Sequence, residues 1–127
     1  MAVVGIGLDI VDTPRFAGVY ERFGEKLLRR VFTNAERAFC GKRVEPLNCY
    51  AGRFAAKEAV FKTLGGGSGE AIPLRDVEIV MVERRPTARL HGTAKRLAQE
   101  RGITKVLVTI SHDAGVAAAA AVAFDGE

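Results

Sequence analysis

The chain has 127 residues, 48% apolar and 27% charged. That balance fits one folded domain spanning residues 1–127 and excludes a disordered or fibrous chain. A formal charge of +4 favours an anionic partner, such as a phosphate, an acidic protein, nucleic acid or a membrane surface, without choosing among them.

Taken in order, Val3 to Val11 is rich in β-branched and aliphatic residues and reads as a strand. Alternation puts Val4, Ile6, Leu8 and Ile10 on one face, expected to be the core face. The opposite face carries Gly5, Gly7 and Asp9. Two glycines strip that face of side chains, so another element can approach closely and Asp9 projects into a hollow. The N-terminus lacks a basic start, and Asp9 and Asp12 interrupt its apolar run, so no secretory signal is expected.

Thr13-Pro14 opens a helix to about Phe23, with Thr13 as the expected N-cap. A second short helix is expected over Gly24 to Arg30. Arg15, Arg22, Lys26, Arg29 and Arg30 make this region the strongest local source of positive field. Thr33 and Glu36 have the form of a capping box for a helix from Asn34 to about Lys42.

A long helix follows from Pro46 to Leu64, stopped by Gly65-Gly66-Gly67. At about 100° per residue, one face gathers Leu47, Ala51, Phe54, Ala55, Phe61 and Gly65, with Glu58 in its middle and Lys62 on its edge. A carboxylate in an apolar stripe must be paired, metal-bound or protonated. The plain alternative is a Glu58–Lys62 pair within the helix. The glycine-rich segment Gly65 to Ile72 is not a Walker motif.

Leu74 to Glu83 reads as a strand, Arg84-Arg85-Pro86 as a turn and Thr87 to His91 as a returning strand. A helix runs from Thr93 to Arg101 and is closed by Gly102. Lys105 to His112 and Val116 to Phe124 form a hairpin about Asp113-Ala114-Gly115. The most apolar stretch, Val116 to Phe124, is too short to cross a bilayer as a helix. Together these elements predict an α+β fold, a mainly antiparallel sheet packed against a long central helix. Cys40 and Cys49 fit no metal spacing, and free thiols in a cytoplasmic protein are the expectation.

If Asp9 and Glu58 converge, they make a hard oxygen site for Mg²⁺, with Lys62 in reach of the same phosphate. Ser111-His112-Asp113 is not a catalytic triad, because adjacent strand residues point to opposite faces. His91 has no evident partner. A basic module that binds RNA or an acidic protein without catalysis is the alternative. No aromatic platform accompanies the basic residues, which argues against nucleic acid.

Two motifs carry a resemblance: Gly5-Ile6-Gly7-Leu8-Asp9-Ile10-Val11 followed by Arg15, and Arg53-Phe54-Ala55-Ala56-Lys57-Glu58-Ala59-Val60-Phe61-Lys62. A weaker third is Ile110-Ser111-His112 with the alanine-rich strand after it. On these the chain resembles the holo-[acyl-carrier-protein] synthases, a group of small 4′-phosphopantetheinyl transferases. The resemblance implies Mg²⁺-dependent transfer of phosphopantetheine from coenzyme A to a serine of apo-acyl carrier protein, in support of fatty acid biosynthesis. It implies Asp9 and Glu58 as metal ligands, with Lys62 as a third catalytic residue. Lys62, Gly65, Pro86, Ser111 and His112 would line the coenzyme A site. Arg15 and Arg22 would dock the acidic carrier, and the assembly would be a homotrimer with active sites between subunits. Two departures from the family pattern are Phe54 in place of a frequent Trp and Arg84 in place of a glycine.

Overall fold

The computed structural model describes residues 1–65 and 71–126. Strand β1 (Val3–Asp12) leads into helices α1 (Thr13–Phe23), α2 (Glu25–Val31) and α3 (Asn34–Gly41), and then into the long α4 (Pro46–Thr63). A single 3₁₀ turn at Leu74–Asp76 precedes β2 (Val77–Val82) and β3 (Arg85–Leu90). Helix α5 (Gly92–Glu100) and the hairpin of β4 (Ile103–Asp113) and β5 (Val116–Asp125) complete the order. The strands form an antiparallel sheet in the order β1-β5-β4-β3-β2. The α+β expectation is met. Most of the glycine-rich segment between Gly65 and Ile72 lies outside the described residues.

Helix α4 is the spine of the molecule. It lies across one face of the sheet, and α1 and α3 pack on it from outside. Ala55, Ala56, Ala59 and Val60 of α4 meet Ala119, Ala121 and Ala123 of β5, with Val77, Ile79, Val106 and the α5 residues Ala94 and Ala98. A second apolar cluster of Phe16, Leu28, Phe32, Tyr50 and Ala117 fills the other side of its N-terminal half. The helix is therefore buried nearly all round. The stripe of Leu47, Phe54, Glu58 and Phe61, which the sequence points toward the core, is its more open side.

The expected orientation of β1 is overturned. Ile6, Leu8 and Ile10 are 73%, 59% and 64% exposed. The face toward α4 is the one that carries Gly5 and Gly7. A Cβ on Gly5 would lie 2.6 Å from the Thr63 carbonyl oxygen, and one on Gly7 would lie 1.9 Å from that of Ala59. The element that approaches the bare backbone is thus the central helix. Alternation reveals two faces, but small residues packed against a helix backbone bury as effectively as large ones do elsewhere.

Local details follow their residues. Thr33 and Glu36 form the full capping box of α3. The N-cap of α1 is Asp12, not Thr13: the Asp12 carboxylate accepts from the Arg15 N–H at 3.1 Å. The β2–β3 turn is Glu83-Arg84, both with positive φ, so Arg85 and Pro86 already belong to β3. Arg84, at φ +65°, holds the left-handed conformation that glycine adopts freely. Cys40 and Cys49 are disulfide-bonded, contrary to the expectation of free thiols. Their Cα atoms are 5.4 Å apart, where the end of α3 meets the first turn of α4, within the span that a disulfide bridges.

A buried polar network fixes α4 against α3 and β2. Lys57 Nζ donates to Glu36 Oε1 at 2.7 Å, to the Val77 carbonyl at 2.6 Å and to the Leu74 carbonyl at 3.1 Å. The Glu36 carboxylate also accepts from the Thr33 and Ile79 amides. Thr33 Oγ1 donates to Glu78, whose other oxygen lies 3.1 Å from His91 Nε2. His91 therefore has a partner that the sequence did not reveal.

Candidate active site

The glycines of β1 decide where Asp9 goes. Because Gly5 and Gly7 let the strand rest on the α4 backbone, the next side chain on that face, Asp9, is delivered beside the helix. Lys62 Nζ lies 3.5 Å from Asp9 Oδ1 and donates to the Leu8 carbonyl at 2.7 Å. Among the described residues no ion pair joins Glu58 to Lys62, so the plain intrahelical alternative does not hold. Instead Lys62 ties the helix to the strand.

Glu58, one helical turn before Lys62, lines the same cleft as Asp9, together with Arg15, Phe16 and Phe54. The cleft encloses about 500 Å³. Burial, and then the negative charge of Asp9, push the Glu58 carboxyl above its usual range, while Lys62 pulls it back. Two carboxylates facing one cleft suit a cation. Among the described residues no group of three or more His, Cys, Asp or Glu is placed to hold a metal. A two-carboxylate oxygen set does not fit a closed zinc site. It does fit Mg²⁺, which keeps waters and takes substrate phosphate oxygens as its remaining ligands.

The other expected residues are distributed more widely. Arg15 lines the Asp9–Glu58 cleft, whereas Arg22 stands on the outside of α1 with its guanidinium over the Phe23 ring at 5.4 Å. Both belong to the exposed basic group with Lys26, Arg29 and Arg30. Gly65 follows α4 with φ +72°, against the guanidinium of Arg101. His112 lies against Gly52 at the other half of α4, with Nε2 2.9 Å from the Asn48 carbonyl. Gly52 and Glu58 are roughly 9 Å apart along the helix axis. Ser111 pairs with half-buried Ala118 and faces away from α4, so it does not join His112.

His112 belongs to a second cleft of about 470 Å³ that it shares with Lys42, Arg43, Asn48, Cys49 and Arg53. A smaller groove joins Arg43, Arg53 and His112 to Pro86, so Pro86 and His112 do converge. Arg53 is 7% exposed. Its guanidinium lies 4.2 Å over the Phe39 ring, and its Nε has no hydrogen-bond partner among the described residues. Burial draws its pKa down, opposed by Glu36. A buried cation with an unsatisfied donor, beside two further cations, is suited to an anion. Lys42, Arg43 and Arg53 are not among the site residues expected from the sequence. The available signal was an arginine directly after Ala51-Gly52 in the middle of the long helix, with the basic pair Lys42-Arg43 shortly before that helix.

Comparison with known proteins gives the chain's family and fold. A family model described as the 4′-phosphopantetheinyl transferase superfamily matches residues 5–121. A holo-[acyl-carrier-protein] synthase of Desulforudis audaxviator is 47% identical over 122 residues, covering 95% of this chain and 92% of its own. That of Chlamydia pneumoniae is 39% identical over 125 residues, covering 97% and 98%. Among solved structures, the holo-[acyl-carrier-protein] synthase of Neisseria meningitidis superposes with a TM-score of 0.87 at 31% identity, covering 98% of this chain and 100% of its own. The Helicobacter pylori synthase, solved in complex with coenzyme A, gives 0.81 at 32% identity, covering 94% and 99%. A match across nearly the whole length, in sequence and in fold, means that this chain belongs to the 4′-phosphopantetheinyl transferase superfamily, alongside the holo-[acyl-carrier-protein] synthases.

Proposed function

We propose that this protein is a holo-[acyl-carrier-protein] synthase. It transfers the 4′-phosphopantetheine of coenzyme A to a serine of apo-acyl carrier protein and releases adenosine 3′,5′-bisphosphate. The observation that carries the reading is the convergence of Asp9 and Glu58 on one cleft, with Lys62 held beside Asp9, within a chain related over nearly its whole length to such synthases. In this reading Asp9 and Glu58 hold Mg²⁺. When bound, the ion neutralises the pyrophosphate of coenzyme A and orients it.

The serine hydroxyl attacks the phosphorus that bears the pantetheine arm. A new P–O bond forms, the bond to the bisphosphate oxygen breaks, and the serine proton passes through a water to Glu58. Lys62, held over Asp9 and half exposed, stabilises charge on the leaving oxygens. The second cleft, with Arg53 and His112 beside Lys42 and Arg43, takes the remaining phosphate of the nucleotide. Gly65 and Pro86 border the coenzyme in this reading, and Ser111 approaches it from a neighbouring copy.

Arg15 and Arg22 receive the acidic carrier through the exposed basic face of α1 and α2. We further propose a homotrimer of these one-domain chains, in the cytoplasm. Its support is the exposed apolar face of β1, with Leu107 of β4 beyond it, a kind of surface that monomers seldom leave open. Among the described residues no helix is long and apolar enough to cross a membrane.

Mass spectrometry of an apo-acyl carrier protein incubated with this protein, coenzyme A and Mg²⁺ tests the reading. A mass gain of one phosphopantetheine group is expected. An unmodified carrier, with the protein folded, would refute it.

A further inference from the structure

Cys40 sits in the last turn of α3 and Cys49 in the first turn of α4, so their disulfide closes a short loop over residues 41–48. Lys42 and Arg43 of the connection between the helices, and Asn48 at the head of α4, line the cation cleft beside Arg53 and His112. Val44 in that connection is fully exposed. Apart from the His112 Nε2–Asn48 carbonyl bond at 2.9 Å, which holds the head of α4, the remaining contacts of the segment are short-range: the Arg43 amide on the Cys40 carbonyl, the Asn48 side chain on Glu45, and the Arg43 guanidinium over Phe39. The disulfide is thus a main constraint on where two of the cleft's cations stand.

The two sulfurs are not equivalent. Cys40 is wholly buried, whereas Cys49 is half-buried and lines the cleft. A reductant entering the cleft meets Cys49 first, and Lys42, Arg43 and Arg53 attract an anionic thiolate to that point.

We propose that Cys40–Cys49 is a thiol–disulfide exchange site, opened by a dithiol reductant, that sets the order of the cation cleft. A thiolate of the dithiol attacks the Cys49 sulfur, and Cys40 leaves as a thiolate and takes a proton. The second sulfur of the reductant then attacks the mixed disulfide and frees Cys49, which takes the second proton. Two electrons and two protons pass from the dithiol, which ends as a disulfide. With the clip open, the connection over residues 42–45 gains conformational freedom that must be given up again whenever an anion binds. Anion affinity at the cleft falls, while Asp9, Glu58 and Lys62 stay in place. The consequence for nucleotide binding rests on the transferase reading above; the consequence for the loop does not.

The test compares the oxidised protein with the same protein reduced by dithiothreitol. A Cys40→Ser, Cys49→Ser double variant is the control that cannot switch. Two thiols are expected to titrate only after reduction. Trypsin should cut after Lys42 or Arg43 about tenfold faster in the reduced form, as expected of local opening. The Kd for adenosine 3′,5′-bisphosphate should rise about five- to twentyfold on reduction, within the range that loop closure by a disulfide contributes. The double variant should match the reduced protein and ignore dithiothreitol. Failure of dithiothreitol to release thiols, or equal cleavage in both states, overturns the proposal. Redox-dependent cleavage with unchanged nucleotide affinity overturns the link to the cleft. Redox-dependent cleavage with no nucleotide binding in either state supports the clip and counts against the transferase reading.

Discussion

Gly7→Ala places a methyl group where the backbone of α4 already lies. The added Cβ falls 1.9 Å from the Ala59 carbonyl oxygen, 2.8 Å from its carbon and 3.0 Å from Lys62 Cβ. Two of these three neighbours are main-chain atoms in the middle of a buried helix, so no side-chain rotation relieves the clash. Strand β1 must lift from α4 by more than about 1 Å at this point, at a cost of about 2–4 kcal/mol, the upper part of the overpacking range. With an unfolding entropy of ~2.1 cal/mol/K per residue, that lowers Tm by about 8–15 °C for a chain of this length. Gly18→Ala is the matched control. A Cβ there meets nothing within 4 Å, and the site is interior to α1, so that variant should gain roughly 0.5–1 kcal/mol. Thermal melts followed by circular dichroism separate the two. A Gly7→Ala protein that melts within about 2 °C of the parent would refute the claim that bare backbone seats β1 on the helix. Because Asp9 follows two residues later, Gly7→Ala should also lose transfer activity at temperatures where it remains folded.

Three further outcomes are expected. Lys57→Met leaves the Glu36 carboxylate buried without its counter-ion and should cost about 3–5 kcal/mol in urea unfolding; adding Glu36→Gln should return part of that loss, whereas additive losses would deny the pair. Arg84→Gly relaxes a left-handed residue and should stabilise by about 1 kcal/mol, read as a higher melting temperature, and a destabilised variant would contradict the turn geometry. Glu58 has its proton affinity raised by burial and by Asp9, so the folded state binds that proton more tightly than the unfolded chain does. The ionised carboxylate therefore weakens the metal-free fold as pH rises above the ordinary value of 4.5. Glu58→Gln should be more stable than the parent near neutrality, with the gain vanishing in acid; a gain that does not depend on pH would contradict this.

Much of the architecture was legible because local signals and long-range packing agree. The Thr33–Glu36 box, Pro46 at the head of α4 and the Ala114-Gly115 turn each state their conformation in a few residues. The carboxylates were legible through their chemistry, since Asp9 after two glycines and Glu58 in an apolar stripe both call for an explanation. What failed were features set by a partner distant in sequence. Alternation in β1 separates Ile6 and Leu8 from Gly5 and Gly7, but only the presence of α4 decides which face is inside. The pairing of Cys40 with Cys49 depends on the angle between α3 and α4. The Glu78–His91 contact depends on the register of β2 with β3. Arg53 escaped because it lies off the apolar stripe that makes Glu58 stand out, on a side of α4 that only the surrounding elements bury.

The central claim is that Asp9 and Glu58, carried by β1 and α4, form one divalent-cation site at the reacting pyrophosphate. Calorimetric titration of Mg²⁺ into the protein with coenzyme A present tests it most directly, on the parent, Asp9→Asn, Glu58→Gln and the double variant. Each single variant should remain folded and lose at least about tenfold in Mg²⁺ affinity, and the double variant should lose little more than either one, because the acids act as a pair. Parental affinity in either single variant, or losses that simply add, would contradict the account.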